Sequence, residues 1–409
     1  MRFQKSKKVL KKWPSRIVLL ICSTVLTLII GEVAVRLCGH LDDNGNFFVR
    51  SLRCHPYRLP VNTSQAHIAR YLSSISSAVV WDPHLGWAHR PGSKSENGWY
   101  SYNADAIRTA SSETVVSKKH QHGLLRIEIF GDSFTHGNDV PFHNTWGYYL
   151  ERDLKASGIP AEVLNFGMGG YGMDQAFLRW ETEGYLYQPH IVLFGLRLEN
   201  ILRNVNLIRS LYLNDTGLPF TKPRFVLEQE RLTLINAPPP PPDRLLDIMN
   251  DVSSWELSRY EYWYNKEDYR ERWFLRSELA SFAYSWFKSH RPHRTAHDEN
   301  LEKLSLRIIQ SFKESVEAHG GVFYVVYLPL KENVRLLERN MVLRPRFLKN
   351  LEEVSPIIHT ETQLLAEAEA VGIDATIPLH YSPKANEIVG AVVTKFLVQK
   401  IEQEQSGRF

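Results

Sequence analysis

The feature that most constrains the fold is a mainly apolar run over residues 124–130 that stops abruptly at Gly131-Asp132-Ser133, with a helix-like segment beginning near Thr145. A strand that yields to a turn and then to a helix is the repeating unit of a parallel α/β sheet. The pattern recurs along the chain. Residues 161–166, 190–196 and 321–328 read as further strands, and residues 145–156, 172–187 and 383–402 as helices. Short apolar runs alternating with helical stretches predict a mainly parallel sheet covered on both faces, a three-layer α/β/α sandwich. Open sheets of this kind keep their sites at the carboxyl ends of the strands, which is where Ser133 falls.

The first forty residues differ from the rest. Residues 1–16 hold seven Lys or Arg and no acid, and residues 17–31 carry no charge. Counting on to Cys38, with only Glu32 and Arg36 near the far end, gives the ~20 residues that a membrane-spanning helix needs. A basic flank predicts that the N-terminus stays in the cytoplasm and the remainder is exported. No clean small-x-small cleavage site follows, so residues 17–38 read as an uncleaved transmembrane anchor in contact with the lipid bilayer rather than a cleaved signal. Removing the seven tail charges from the overall +4 leaves the remainder at −3, so the bulk of the chain shows no nucleic-acid footprint.

At 409 residues the chain has room for more than one domain. The division expected is a basic tail at 1–16, the anchor at 17–38, a juxtamembrane region at 39–120 and an α/β domain at 121–405. An insertion at about 205–298 interrupts that domain. Within it, residues 224–235 look like a β-hairpin turning near Gln229-Glu230-Arg231, and residues 238–242 are a run of five prolines that reads as a stiff linker. The aromatic-rich stretch after it, from Trp255 to Phe287, reads as the core-facing side of inserted helices. A lid or a membrane-interface surface are the alternatives. Cys38 and Cys54 could pair in an oxidising compartment, but three cysteines support neither a disulfide framework nor a metal cluster. No pair of histidines shows metal-ligand spacing, and no metal or other cofactor is implied.

Acyl transfer through a serine needs a nucleophile, a base, donors for the developing oxyanion and a group that orients the base. Ser133 supplies the first, and its backbone N–H one donor. The second strand ends in Asn165-Phe166-Gly167-Met168-Gly169-Gly170-Tyr171-Gly172, where glycines let backbone N–H groups face a ligand without a Cβ in the way. The third strand ends in Gly195-Leu196-Arg197-Leu198-Glu199-Asn200, whose Asn200 amide is a further candidate donor.

These segments resemble the signature blocks of the SGNH hydrolases, also called the GDSL family, over roughly residues 120–205 and 300–405. The resemblance implies a flavodoxin-like sheet, with Ser133 as nucleophile and Gly170 and Asn200 as oxyanion donors beside the Ser133 N–H. It also marks Leu379-His380-Tyr381-Ser382-Pro383 as the final block, with His380 as base. Leu85-Gly86-Trp87 and Thr145-Trp146 are similar to membrane-anchored bacterial members, which implies an inner-membrane protein with a periplasmic or extracellular domain. One position departs from the pattern. The family's aspartate two or three residues before the histidine is replaced here by Ile377 and Pro378, which leaves Asp374 as the nearest acid. The expected function is a serine ester hydrolase that forms an acyl-enzyme and acts on an ester-bearing glycan or lipid. The alternatives are an O-acyltransferase of envelope or secreted polysaccharide, and an impaired protein that binds a glycan or partner. The sequence leaves the oligomeric state open.

Overall fold

The computed structural model describes residues 12–74, 78–213, 216–290 and 295–406. It begins with helix α1 (Lys12–Cys38). Within it Arg16–Cys38 has a mean hydropathy of 2.4, and it is the one helix among the described residues long and apolar enough to cross a membrane.

Seven strands build the central sheet: β1 (Ser101–Tyr102), β2 (Arg108–Thr109), β3 (Leu125–Gly131), β4 (Ala161–Asn165), β5 (Ile191–Leu196), β6 (Val322–Tyr327) and β7 (Ile357–His359). Their spatial order is β7-β6-β5-β3-β4-β2-β1. Strands β3 to β7 run parallel, while β1 and β2 form an antiparallel hairpin on the edge beside β4. The helices that matter below are α2 (Ser133–His136), α3 (Trp146–Ala156), α4 (Met173–Thr182), α5 (Asn200–Arg203), α6 (Glu278–Ser289), α7 (Thr295–Ala318) and α8 (Pro383–Ser406).

Side chains on a strand alternate between faces, and β3 shows why this sheet has two cores. Ile127 and Ile129 point to the side covered by α3 and α8, where Trp146, Leu150, Val389, Val393 and Leu397 are buried. Phe130 points to the side covered by α4 and α7, with Phe177, Trp180, Ile308 and Phe312. Each such side chain withdrawn from water contributes about 1.5–3 kcal/mol, which makes the layers the main source of stability. The chain passes from β3 to β4 on one side and then returns to β5 on the other. The carboxyl end of β3 is therefore the topological switch point, where open sheets form a crevice.

The four strands expected from sequence are present with ends shifted by a residue or so. Three features differ from expectation. The 39–120 region is not a separate juxtamembrane unit: β1 and β2 extend the main sheet, and Trp87, wholly buried, donates its indole N–H to Gly169 O at 3.0 Å. The expected helix at 172–187 stops at Thr182, after which Gly184–Tyr187 forms a 3-10 turn ending at Gln188, whose φ of 53° is left-handed. The proline run is a linker only in its first part, because Pro242 begins the helix Pro242–Asn250, a favoured place for a residue that has no N–H to satisfy. The hairpin is as read, with Gln229 and Glu230 at φ 48° and 66° in the turn. Cys38 and Cys54 are both free, one exposed and one buried.

Candidate active site

Each piece of the site is held by a local cause. Gly131 ends β3 where a Cβ would lie 2.9 Å from Gly195 O and collide with Thr135, so only glycine fits between the Ser133 turn and β5. Asp132 then caps α2, its Oδ1 accepting from Phe134 N at 2.9 Å. Its Oδ2 accepts from Arg197 Nη1 at 3.0 Å and Arg203 Nη1 at 3.2 Å. The Asp132 side chain is thus a buried anchor rather than a proton carrier.

Ser133 is the first residue of α2. Its Oγ lies 2.9 Å from His380 Nε2, and His380 Nδ1 lies 2.7 Å from Asp139 Oδ2. The arrangement assigns the protons: Ser133 O–H donates to Nε2 and Nδ1–H donates to the carboxylate. His380 comes from the loop before α8, where it packs beside Phe134 with ring centroids 4.9 Å apart. That loop is pinned on both sides of the histidine. Tyr381 donates its buried hydroxyl to Pro329 O at 2.9 Å, and Asn386 Nδ2 donates to Tyr381 O at 3.0 Å.

The acid at His380 is therefore not the one nearest in sequence. Asp374 turns away into solvent, 77% exposed, where it pairs with Lys331 Nζ at 2.6 Å; that lysine holds its carboxyl below the ordinary range. Asp374 makes no hydrogen bond to His380; Lys331, which also donates to Pro378 O at 3.0 Å, ties it to the histidine loop instead.

Asp139 reaches His380 because the chain after α2 doubles back. Ser133 O accepts from both Gly137 N at 3.0 Å and Asn138 N at 2.9 Å. Asp139 itself adopts a left-handed φ of 65°, a conformation that Asp and Asn tolerate better than most residues. Arg108 on β2, buried beneath the loop, donates to Gly137 O at 2.6 Å and Val140 O at 2.7 Å, bracketing Asp139. The Tyr100 hydroxyl oxygen accepts from Asp139 N–H at 2.9 Å. Neither Asp139 nor Arg108 stands in a motif, so pattern reading passed over both.

The glycine loop after β4 faces the same space. Gly170 has a left-handed φ of 84°, and a Cβ there would touch Trp87 at 3.4 Å and the Arg209 guanidinium at 3.6 Å. Asn165 stitches this loop to the Ser133 turn, donating to Thr135 O at 3.0 Å and accepting from Gly167 N at 2.9 Å. Arg203 adds a second stitch, from Asp132 to Tyr171 O at 3.1 Å. Asn200 is wholly buried at the start of α5, and neither its amide nitrogen nor its oxygen has a hydrogen-bond partner. Its neighbours Arg197 and Arg203, rather than Asn200, reach the cavity wall.

The cavity measures about 900 Å³ and is lined by Ser133, His380, Gly170, Arg197, Arg209 and Lys331 among others. Carboxylates offset much of the positive charge. Burial alone would raise Glu199, but Arg203 and Arg197 beside it hold its carboxyl at about 2. Behind the serine, His136 is sealed from solvent with Tyr102 O–H 2.9 Å from Nε2 and Asn138 Oδ1 2.6 Å from Nδ1. Burial, and then the charge of Arg108, push its pKa well below the ordinary value, so the ring stays neutral. Among the described residues, none from 224–290 lines the cavity, so the aromatic stretch is not its lid. No group of three or more His, Cys, Asp or Glu among those residues is placed to hold a metal ion.

No family model and no curated protein sequence matches this chain. Solved structures do. In fold, the chain is similar to GDSL-type lipolytic proteins and esterases. One is a protein assigned to the G-D-S-L lipolytic family from Desulfitobacterium hafniense, with 11% identity over 66% of this chain and 98% of that one, at a TM-score of 0.31. A second is an acetyl xylan esterase with 14% identity over 66% and 98%, at 0.35. A third is an acetylxylan esterase from Geobacillus stearothermophilus, with 11% identity over 66% and 93%, at 0.35. Likeness at this level concerns the fold alone.

Proposed function

We propose that the protein is a serine ester hydrolase that works through an acyl-enzyme on Ser133 and is tethered through α1 to the outer face of a bacterial inner membrane. The observation that carries this reading is the continuous chain from Ser133 Oγ to His380 at 2.9 Å and from His380 to Asp139 at 2.7 Å, at the switch point of the sheet and on the wall of a cavity large enough for a substrate.

As Ser133 Oγ bonds to an ester carbonyl carbon, its proton passes to His380 Nε2. The Nδ1–H bond to Asp139 holds the ring in the tautomer that leaves Nε2 free and stabilises the imidazolium that forms. The carbonyl oxygen, now an anion, accepts from the N–H groups of Ser133 and Gly170, which line the cavity, without the amide of Asn200, which does not. His380 then gives its proton to the departing alcohol. Water repeats the sequence against the acyl-enzyme, losing its proton to His380 and releasing the acid and the free serine. The anchored, exported position favours an O-acylated glycan or a lipid as the ester. The impaired-site alternative drew on Ile377 and Pro378; a carboxylate at Asp139 supplies the orientation those positions lack.

Labelling of the full-length protein with a fluorophosphonate tests the reading. Wild type is expected to label and Ser133→Ala to be inert; a wild type that fails to label, or a Ser133→Ala that labels equally, overturns it. A transferase remains the second reading, because the cavity extends past the serine to Tyr100 and Tyr102 and has room for an acceptor. Acetate release without diversion onto an added glycan acceptor selects hydrolysis.

A further inference from the structure

Helix α6 is built inside out for a soluble protein. Its buried side carries Ser281 and Ser285, 1% and 2% exposed, both bonded to the backbone of His55. Its outer side carries Ala283, Trp286 and Phe287, and Trp273 stands on the turn before it, 83% exposed. A surface helix in water places its polar residues outward. Trp and Phe gathered on the outer side of a short helix are the pattern of a segment lying in a membrane interface.

What fixes the position of this helix is α1. Glu32, the one acid in α1, accepts from Ser277 Oγ at 2.7 Å, Glu278 N at 3.1 Å and Leu279 N at 2.9 Å, and so caps α6. Gly31 allows the approach, since a Cβ there would sit 2.9 Å from Leu279 Cδ2. Glu32 precedes the end of α1 at Cys38 by six residues, which places the junction ~9 Å below the outer end of the helix at 1.5 Å per residue. Interfacial helices lie ~5–10 Å deep. The two estimates agree.

We propose that α6, with Trp273, lies in the outer leaflet of the bilayer that α1 crosses, so that the domain is held to the membrane at two elements. This rests on the reading of α1 as a span, and not on the chemistry at Ser133. The partner is the lipid surface itself. Glu32 is explained by the same arrangement: its charge is matched by the N-terminus of α6 and by Arg36 Nε at 2.7 Å, instead of standing alone at the membrane boundary.

The test uses the full chain in phosphatidylcholine–phosphatidylglycerol liposomes, with Cys22→Ser and Cys38→Ser as background and Cys54 left buried. A nitroxide is placed by Ala283→Cys or, separately, Trp286→Cys, with Leu26→Cys as the reference in the span and Val115→Cys as the reference in water. Collision with oxygen and with a nickel chelate is read by power saturation. Both α6 sites are expected to favour oxygen, as Leu26→Cys does, and to reverse the ratio seen at Val115→Cys. Nickel access at both α6 sites with Leu26→Cys still in lipid overturns the proposal and leaves the anchor standing. Shielding from both reagents also overturns it, in favour of a protein partner. Nickel access at Leu26→Cys removes the anchor and the proposal together.

Discussion

Two histidines flank Ser133, and their surroundings are opposite. His136 is three residues away in the chain, yet it is sealed behind the serine and kept neutral by burial and by Arg108. His380 is 247 residues away, yet its ring meets the serine hydroxyl on one side and a carboxylate on the other. Nearness in sequence says little about which imidazole can move a proton. Both rings lie on the cavity wall; what separates them is a carboxylate beside the ring and a bond to Ser133, and only His380 has both.

The sharpest way to break the comparison is His380→Ala. Its kcat on an activated ester such as p-nitrophenyl acetate is expected to fall on the order of 10⁶-fold, as far as for Ser133→Ala, because the two act as a unit. Loss of comparable size in a folded His136→Gln would reverse the assignment. Asp139→Asn comes next, with an expected fall on the order of 10⁴-fold as the ring loses its tautomer. Asp374→Asn, measured beside it, is expected to leave the rate unchanged. Equal losses at the two aspartates would show that the Lys331 contact matters more than the bond to His380.

A smaller effect is expected from Arg108→Met, which strips the donors from Gly137 O and Val140 O. Leaving buried carbonyls unsatisfied costs ~1–3 kcal/mol each, seen as a lower midpoint in urea. Activity should fall with it, because the loop that carries Asp139 loosens. The smallest effect concerns pH. His136 is neutral in the fold, so as pH drops below the unfolded value of ~6.5 the unfolded chain takes up a proton that the folded chain refuses. Stability is present above that pH and is lost below it, at up to ~1.4 kcal/mol per pH unit for such a group. His89 contributes in the same direction, its pKa lowered by burial and then by Arg179. Buried Glu128, raised by desolvation, acts in reverse but is common to both proteins. His136→Gln should therefore flatten the fall in Tm between pH 7 and 5, and an unchanged slope would show that the ring is already charged in the fold.

Much of the fold was legible because long apolar strands and amphipathic helices announce themselves by period. Ser133, Gly170 and His380 stood out as candidates because each ends a strand or precedes a helix in a recognisable string, and the structure brings all three to one cavity. The rest was hidden for identifiable reasons. β1 and β2 are two residues long, too short to show alternation, so the region before 120 looked separate from the sheet it completes. Asp139 works through a left-handed turn and a buried arginine from another strand, neither of which has a local signature. Asn200 was read from its place in a motif, but the side chains that reach the cavity from that segment are its neighbours Arg197 and Arg203. Of the aromatic stretch, read as core-facing from its spacing, Trp255, Tyr260, Tyr262 and Tyr264 do pack against the core, whereas Trp273, Trp286 and Phe287 are exposed, a difference that spacing does not show.

The double hydrogen bond that Ser133 O accepts from Gly137 and Asn138 has a consequence for how this centre can change over time. It folds the chain so that the proposed nucleophile and the acid proposed to orient its base are written within seven consecutive residues, 133–139. Their mutual geometry is therefore inherited as one short cassette, and His380 is the single member that must be brought in from afar. Insertions or rewritten loops elsewhere can leave the pair aligned, so long as the turn before α8 still delivers its imidazole.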